Sequence, residues 1–136
     1  MTVEDIKSVA LTLFAENSYE GTTLSEIAKR VGIKKPSIYA HFDGKEDLFL
    51  SVFQDVMKDY VGYVEQHLKK IEVYSVKDKL HAMLSDTCRY YMDNEEKAAF
   101  LKRAMMFPPA FFEEQLRAEF LKYEEETTKM LRGIFK

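Results

Sequence analysis

Disulfide partners, glycine-rich loops, long apolar runs and net positive charge are all absent from this chain, and each absence excludes a class of protein. Cys88 is the only cysteine, so no internal disulfide can form and a reducing cytosol is the expected compartment. The five glycines are scattered, with no Gly-rich loop to cradle a phosphate. The densest apolar run, Ala104 to Phe112, is broken by Pro108-Pro109 and falls far short of the ~20 residues that span a bilayer. Glu4 and Asp5 precede Ile6 where a signal peptide would carry a basic segment and then an apolar one, so no signal peptide is expected. Net charge is −3, and the overall balance does not announce nucleic acid.

Catalytic constellations are missing too. His81 and Cys88 lie seven apart on one helical face, but no third candidate ligand has diagnostic spacing for a metal. A Cys–His nucleophile pair would need direct contact, which that spacing does not give. Neither a catalytic residue, a metal nor a cofactor is therefore expected, and the protein is read as no enzyme.

What is present is amphipathic helix. Hydrophobic residues make up 46% of the 136 and charged residues 32%, the balance of a soluble globular protein long enough for a real core. Charge is unevenly spread. Ala28 to Lys45 holds Lys29, Arg30, Lys34, Lys35 and Lys45 against Asp43 alone, whereas Glu113 to Glu126 holds six acids against Arg117 and Lys122. A basic patch on an acidic protein suits a partner that touches one end only; the acidic segment reads as a solvated face.

Ile6, Val9, Ala10, Leu13 and Phe14 form the stripe of a first helix starting near Thr2, with Asn17 and Gly21 bracketing its end. Thr23 with Glu26 makes a T-x-x-E capping box for a second helix, which carries Leu24, Ile27, Ala28 and Val31 and stops at Gly32. Ile33, Ile38 and Phe42 mark a third, with Pro36 tolerable in its first turn. A long fourth helix is predicted from about Lys45 to Ile71. Ser75 with Asp78 opens a fifth, its inner side at Val76, Leu80, Met83, Leu84, Thr87 and Tyr91. Asn94 is expected to cap a sixth, and a seventh begins near Pro109 and runs through Phe112 to Ile134. No stretch shows β-alternation. The expected fold is all-α, a three-helix head with a helix-turn-helix followed by a helical bundle body.

The stretch from Thr23 to Leu48 carries the chemistry. Two short helices join at Gly32, and the second presents Lys34, Lys35, Pro36 and Ser37 in its first turn, then Tyr39, Ala40 and His41, while Ile38 and Phe42 face inward. A helix in the DNA major groove needs this arrangement of exposed donors over an apolar anchor. Lysines reach phosphate or guanine, and serine and tyrosine hydroxyls reach phosphate or base. Thr23 and Ser25 sit at a helix start whose amides also accept a phosphate. Lys45 opens the fourth helix against its macrodipole, a cost that a phosphate in front of it would repay. His41 is read either as a phosphate contact or as an exposed bystander.

Phe14, Gly21, the T-T-L-S-E-I-A pattern ending at Ala28, Gly32-Ile33, Ile38-Tyr39, His41-Phe42 and Lys45 through Leu48 together resemble the DNA-binding head of the TetR family of bacterial transcriptional regulators. The resemblance covers about a third of the chain. It implies that Lys35, Pro36, Ser37, Tyr39, His41 and Lys45 meet DNA, with Ser25 supporting. Three positions depart from the family pattern. Lys34 stands where a serine or threonine usually caps, Pro36 where glycine or alanine is frequent, and Gly44 where serine often caps the fourth helix, so the bases read cannot be copied from the family. The resemblance further implies a head over residues 1–47 and a ligand-binding and dimerisation body over 48–136. It implies a homodimer on a palindromic double-stranded operator, a small-molecule effector and no membrane. A helical ligand- or protein-binding module whose relic head lacks specific DNA binding is the alternative.

Methionines and aromatics are dense in the body, from Met83, Tyr90, Tyr91 and Met92 to Met105, Met106, Phe107, Phe111 and Phe112. Tyr60, Tyr63, Met83, Tyr91, Met105 and Phe111 are the candidates to line an effector pocket; plain core is the competing reading for each. The apolar face of the last helix persists to Ile134 and Phe135, which leads to the expectation of a covering partner or of a longer parent chain lacking its last helices here.

Overall fold

A computed structural model describes residues 2–110 and 113–135. Helices follow one another as α1 (Val3–Asn17), α2 (Leu24–Val31), α3 (Lys35–Tyr39), α4 (Lys45–Ile71), α5 (Val76–Asp93), α6 (Glu95–Met106) and α7 (Glu113–Ile134). No strand occurs among the described residues. The fold is all-α, as the periodicity predicts.

Local chemistry sets most boundaries. Thr2 and Asp5 form a reciprocal capping box on α1: the Asp5 N–H donates to the Thr2 hydroxyl at 3.3 Å, and the Thr2 N–H donates to the Asp5 carboxylate at 2.9 Å. The helix ends at Ser18, which takes a positive φ of 68°. Gly21 follows where a Cβ would strike the Asn17 carbonyl. The box expected on α2 is only half made. The Glu26 N–H donates to the Thr23 hydroxyl at 3.1 Å, but the Glu26 carboxylate accepts from that hydroxyl instead of reaching the backbone. Gly32 closes α2 in the left-handed region, φ 91°, and the N–H groups of Gly32 and Ile33 both bond the Ala28 carbonyl.

α4 spans the 27 residues its pattern predicts, a rod of about 40 Å at ~1.5 Å per residue. Around it lies one buried cluster drawn from α1, α2, α3, α4, α6 and α7. Phe49 of α4 sits where head and body meet. Its ring packs edge-on against Phe14 at 5.0 Å and Tyr19 at 5.2 Å, and tilts against Phe100 of α6 at 5.1 Å. Polar contacts reinforce the seam between α1 and α6: Thr12 donates to Glu96 at 2.9 Å and Arg103 to the Glu16 carbonyl at 3.3 Å.

Two expectations in the body fail, and a third falls partly outside the described residues. Of the predicted inner side of α5, Val76, Leu80 and Leu84 are 61%, 51% and 70% exposed. The face turned inward is Lys79, Ala82, Met83, Asp86 and Tyr90, with Tyr90 alone fully buried. Hydrogen bonding explains the rotation. Lys79 Nζ donates to the Ile134 carbonyl at 2.7 Å, Tyr63 to the Asp86 carbonyl at 2.8 Å, and Tyr90 to Asp59 at 2.9 Å, so tyrosine hydroxyls find partners instead of being orphaned. Asn94 caps nothing at the start of α6; its side-chain amide donates back to the Tyr90 carbonyl at 2.9 Å, closing α5. Pro108 and Pro109 lie between helices, and the described part of α7 begins at Glu113, past Phe111 and Phe112, which lie outside the described residues.

Because one core serves both halves, Phe49→Ala should cost about 3–5 kcal/mol. Urea unfolding followed by circular dichroism should stay a single transition with a lowered midpoint; two resolved transitions would refute a shared core. Gly32→Ala meets no neighbour within 4 Å, so its loss of about 1–2 kcal/mol in the same assay is left-handed backbone strain alone.

Candidate nucleic-acid interface

The half-made cap at Thr23, the left-handed Gly32 and the short α3 fold the head so that lysines, hydroxyls and a tyrosine stand exposed together. Ile38 is fully buried and Phe42 is 5% exposed; these anchor α3. Thr23, Ser25, Lys34, Lys35, Pro36, Ser37, Tyr39 and His41 are all exposed. Thr23 has its hydroxyl committed to the cap. Lys34 occupies the N-cap of α3 in extended backbone and makes no side-chain cap, leaving its ammonium group outside the fold. The Ser37 N–H is taken by the Lys34 carbonyl at 2.9 Å. Lys29 and Arg30, in the last turn of α2, are exposed as well and widen the cationic surface.

Lys45 differs from the other candidates. It is half-buried, with Nζ 4.1 Å from the centre of the Tyr19 ring, a cation–π contact. Burial lowers its pKa, opposed by Glu20. The same burial, with Glu46 and Glu20 adding to it, pushes the Tyr19 hydroxyl up to about 12. The cation at the start of α4 therefore has an intramolecular partner, and the expected phosphate is not needed to explain it. Tyr19 escaped the sequence reading because it lies in a turn outside any periodic stripe. At the same helix start Gly44 offers no side-chain cap, and the Asp47 carboxylate accepts from the Asp43 N–H at 3.0 Å.

Residues 6–52, the span of this head and the first turns of α4, match the pattern of the bacterial regulatory proteins of the tetR family. The head of the chain is of the TetR type. The biofilm operon icaADBC HTH-type negative transcriptional regulator IcaR of Staphylococcus epidermidis is 40% identical over 55 residues, covering 40% of this chain and 30% of that protein. The regulator of the same name from Staphylococcus aureus is 38% identical over 91 residues, 65% of this chain and 45% of its own. The matched stretch thus spans less than half the length of either relative. Among solved structures, the transcriptional regulator FadR of Bacillus subtilis in complex with stearoyl-CoA superposes with a TM-score of 0.77 at 25% identity, covering 98% of this chain and 68% of that one.

Behind this head the body holds two adjoining cavities. The larger, about 420 Å³, lies among α4, α5, α6 and α7 and is lined in part by Tyr60, Tyr91 and Met105. The smaller, about 80 Å³, lies among α4, α5 and α7 and is lined in part by Tyr60, Tyr63 and Met83. Five of the six pocket candidates are thereby divided between two spaces that share Tyr60; Phe111 lies outside the described residues. Leu101, Lys102, Phe120 and Thr127 also line these spaces, and no motif marked them. A wider opening of about 540 Å³ lies between α1, α4 and α6. It is an open polar groove in which four of the lining charges pair, Lys7 with Asp55 at 3.0 Å and Lys97 with Asp59 at 2.9 Å. Burial alone would raise the Asp59 carboxyl, but hydrogen bonds from Lys97 and Tyr90 outweigh it and hold the pKa below the usual value.

Among the described residues no three His, Cys, Asp or Glu side chains cluster to hold a metal ion, and no helix is long and apolar enough to cross a membrane. Both His81 and Cys88 are exposed. The relatives are transcriptional regulators, a non-enzymatic group.

Replacing Lys45 by Met removes the contact with Tyr19 and should lower stability by about 0.5–1 kcal/mol. Thermal melts of Lys45→Met and Tyr19→Leu, each alone and together, check it. Full additivity of the two losses would show that the ammonium and the ring do not interact.

Proposed function

We propose that this chain is a DNA-binding transcriptional repressor that grips a palindromic operator as a homodimer and leaves it when a small molecule enters the body. The observation that carries the reading is the exposed set from Lys34 to His41 held over buried Ile38 and Phe42. A solvated corner of a helical bundle would account for the charge, but not for a half-capped helix, a left-handed glycine and an inward anchor in register. The reading divides the chain into a head, residues 1–47, and a body, residues 48–136, with α4 as the mechanical link. Two heads must place their α3 helices in successive major grooves, ~34–36 Å apart. A ligand that binds better to a dimer with another spacing releases the DNA. IcaR is named a negative regulator and FadR was solved with stearoyl-CoA; both favour this reading. The site of action is the cytoplasm.

Within the site, Lys34, Lys35 and Lys45 supply positive charge to phosphate, while Ser37 and Tyr39 offer hydroxyl donors to phosphate or base edges. Pro36 stiffens the first turn of α3. Ser25, at the start of α2, supports a phosphate from the other side of the turn, and Thr23 positions that helix through its cap. His41 adds a contact whose charge follows pH.

Lys35→Ala should weaken operator binding and reduce the slope of log K against log salt by about one, the mark of a lost phosphate contact. Tyr39→Ala should weaken binding with little change in slope if its hydroxyl meets a base, and weaken all sequences alike if it meets phosphate. Mobility shifts at several salt concentrations, using DNA that flanks the gene itself, read both. Wild-type binding that is weak and blind to sequence would favour the other reading, a helical binding module with a relic head.

A further inference from the structure

We infer that the effector is a long unbranched acyl chain with an anionic head, its tail running from the larger cavity past Tyr60 into the smaller one and its head at Lys102. This rests on the ligand-responsive reading above and names the class of ligand. A volume of about 420 Å³ is within the ~300–1,000 Å³ of small-molecule sites, and its wall of Met57, Leu101, Met105 and Phe120 is apolar and, at the methionines, adaptable.

Shape selects a chain over a compact ring system. Tyr60 and Thr127 line both cavities, so the two spaces adjoin there, one wide and one narrow. A ring system fills the wide part alone; an alkyl chain can use both. Three polar side chains at the junction and beyond it are already engaged. The Thr127 hydroxyl donates to the Tyr123 carbonyl at 3.0 Å, Tyr63 donates to the Asp86 carbonyl at 2.8 Å, and His67 Nδ1 lies 2.8 Å from the Tyr63 carbonyl with its ring stacked on Tyr63 at 3.9 Å. Beside Asp86, which would repel an anionic head, and Thr87, the narrow chamber offers a ligand the hydrocarbon of Val64, Leu68, Ile71 and Leu131. It would accept methylenes and penalise a polar end.

Charge fixes the direction. Lys102 on α6 and Glu124 on α7 line the larger cavity and are exposed, and neither is in an ion pair among the described residues. The nearby Lys97 is spent on Asp59. Lys102 is thus the cation open to a carboxylate or phosphate at the mouth, and Glu124 opposes it. A free fatty acid and an acyl thioester of coenzyme A share this chemistry, an alkyl chain ending in negative charge.

Isothermal titration calorimetry on the full chain without DNA tests the inference, with ligands kept below their micelle concentrations. Affinity should rise roughly tenfold for every two methylenes from octanoate to hexadecanoate. Lys102→Gln should weaken hexadecanoate about threefold to fivefold, the scale of an exposed ion pair, and leave hexadecanol unchanged; Glu124→Gln should strengthen hexadecanoate. Leu131→Phe, which fills the inner chamber, should abolish the gain beyond dodecanoate and spare octanoate. Hexadecanoyl-coenzyme A binding at least tenfold tighter than hexadecanoate, with the same Lys102 dependence, would identify the thioester as the source; equal affinities would identify the free acid. Affinity independent of chain length, or equal for hexadecanoate and hexadecanol in every variant, overturns the inference. No acyl binding by a protein that still shifts operator DNA overturns it and leaves the repressor reading standing. Acyl binding by a protein that shifts no DNA supports it and overturns that reading instead.

Discussion

The union of head and body depends on where Phe49 sits. Its ring is the point at which Phe14 and Tyr19 of the head meet Phe100 of the body, and aromatic pairs hold geometry as well as area through their edge-to-face preference. A head attached only by a flexible linker could tilt without cost. A head sharing a buried aromatic knot with α4 and α6 cannot turn unless those helices move with it. The knot therefore converts a helix-turn-helix from an independent unit into one whose orientation is a property of the whole chain. Tyr19 ties the two roles together, since the ring that packs on Phe49 also carries Lys45 at 4.1 Å.

Within the body, α5 is held by a different force. α5 turns inward a face that is mostly polar, and what it gains are hydrogen bonds from Tyr63, from Tyr90 and from Lys79. Greater apolar burial was open to the same helix through Val76, Leu80 and Leu84, and the fold declines it. Each buried tyrosine hydroxyl left unmatched would cost about 1–3 kcal/mol, comparable with the ~1.5–3 kcal/mol from burying one aliphatic side chain. Spreading α5 on hydrogen bonds also leaves gaps beside Tyr60 that tight aliphatic packing would have closed. The cavities are a consequence of that choice.

This explains what could and could not be read from the residues. α4 was legible to both ends because Phe49, Val52, Phe53 and Val56 keep the helical period and no competing pattern exists. Ile38 and Phe42 were legible because a short helix has room for only one anchor face. α5 was not, because its apolar residues and its hydrogen-bonding residues make two stripes of equal regularity, and only the partners Asp59 and Ile134, remote in sequence, decide between them. Thr23 and Asn94 show the same limit at single residues: both have capping chemistry, yet Thr23 completes half a box and Asn94 bonds backward to Tyr90. Lys45 was placed correctly at a helix start, but its partner lies in a turn that periodicity does not index. The exposed set from Lys34 to His41 was fully legible, since exposure there follows from the anchor face; which atoms of a partner it meets does not.

Beside α4, a second helix connects the larger cavity to the head. α6 puts Ala98, Leu101, Lys102 and Met105 against the larger cavity and, on its other side, Glu96, Phe100 and Arg103 against α1 through Thr12, Phe14 and the Glu16 carbonyl. Residues three and four apart on a helix share a face, so these sets cannot move independently. Under the proposed reading, a ligand that displaces α6 by filling the cavity must either break the Thr12 and Arg103 hydrogen bonds or drag α1 along. The hydrogen bonds are exposed and individually weak, each worth about 0.5–1.5 kcal/mol, whereas the Phe100 contact is buried and strong. The strong contact transmits and the weak ones set how far, so the head follows α6 as far as Phe100 carries it while Thr12 and Arg103 re-form or not at the end of the stroke. A regulator needs such a graded seam. A wholly apolar one would lock the head in place, and a wholly polar one would let it slip.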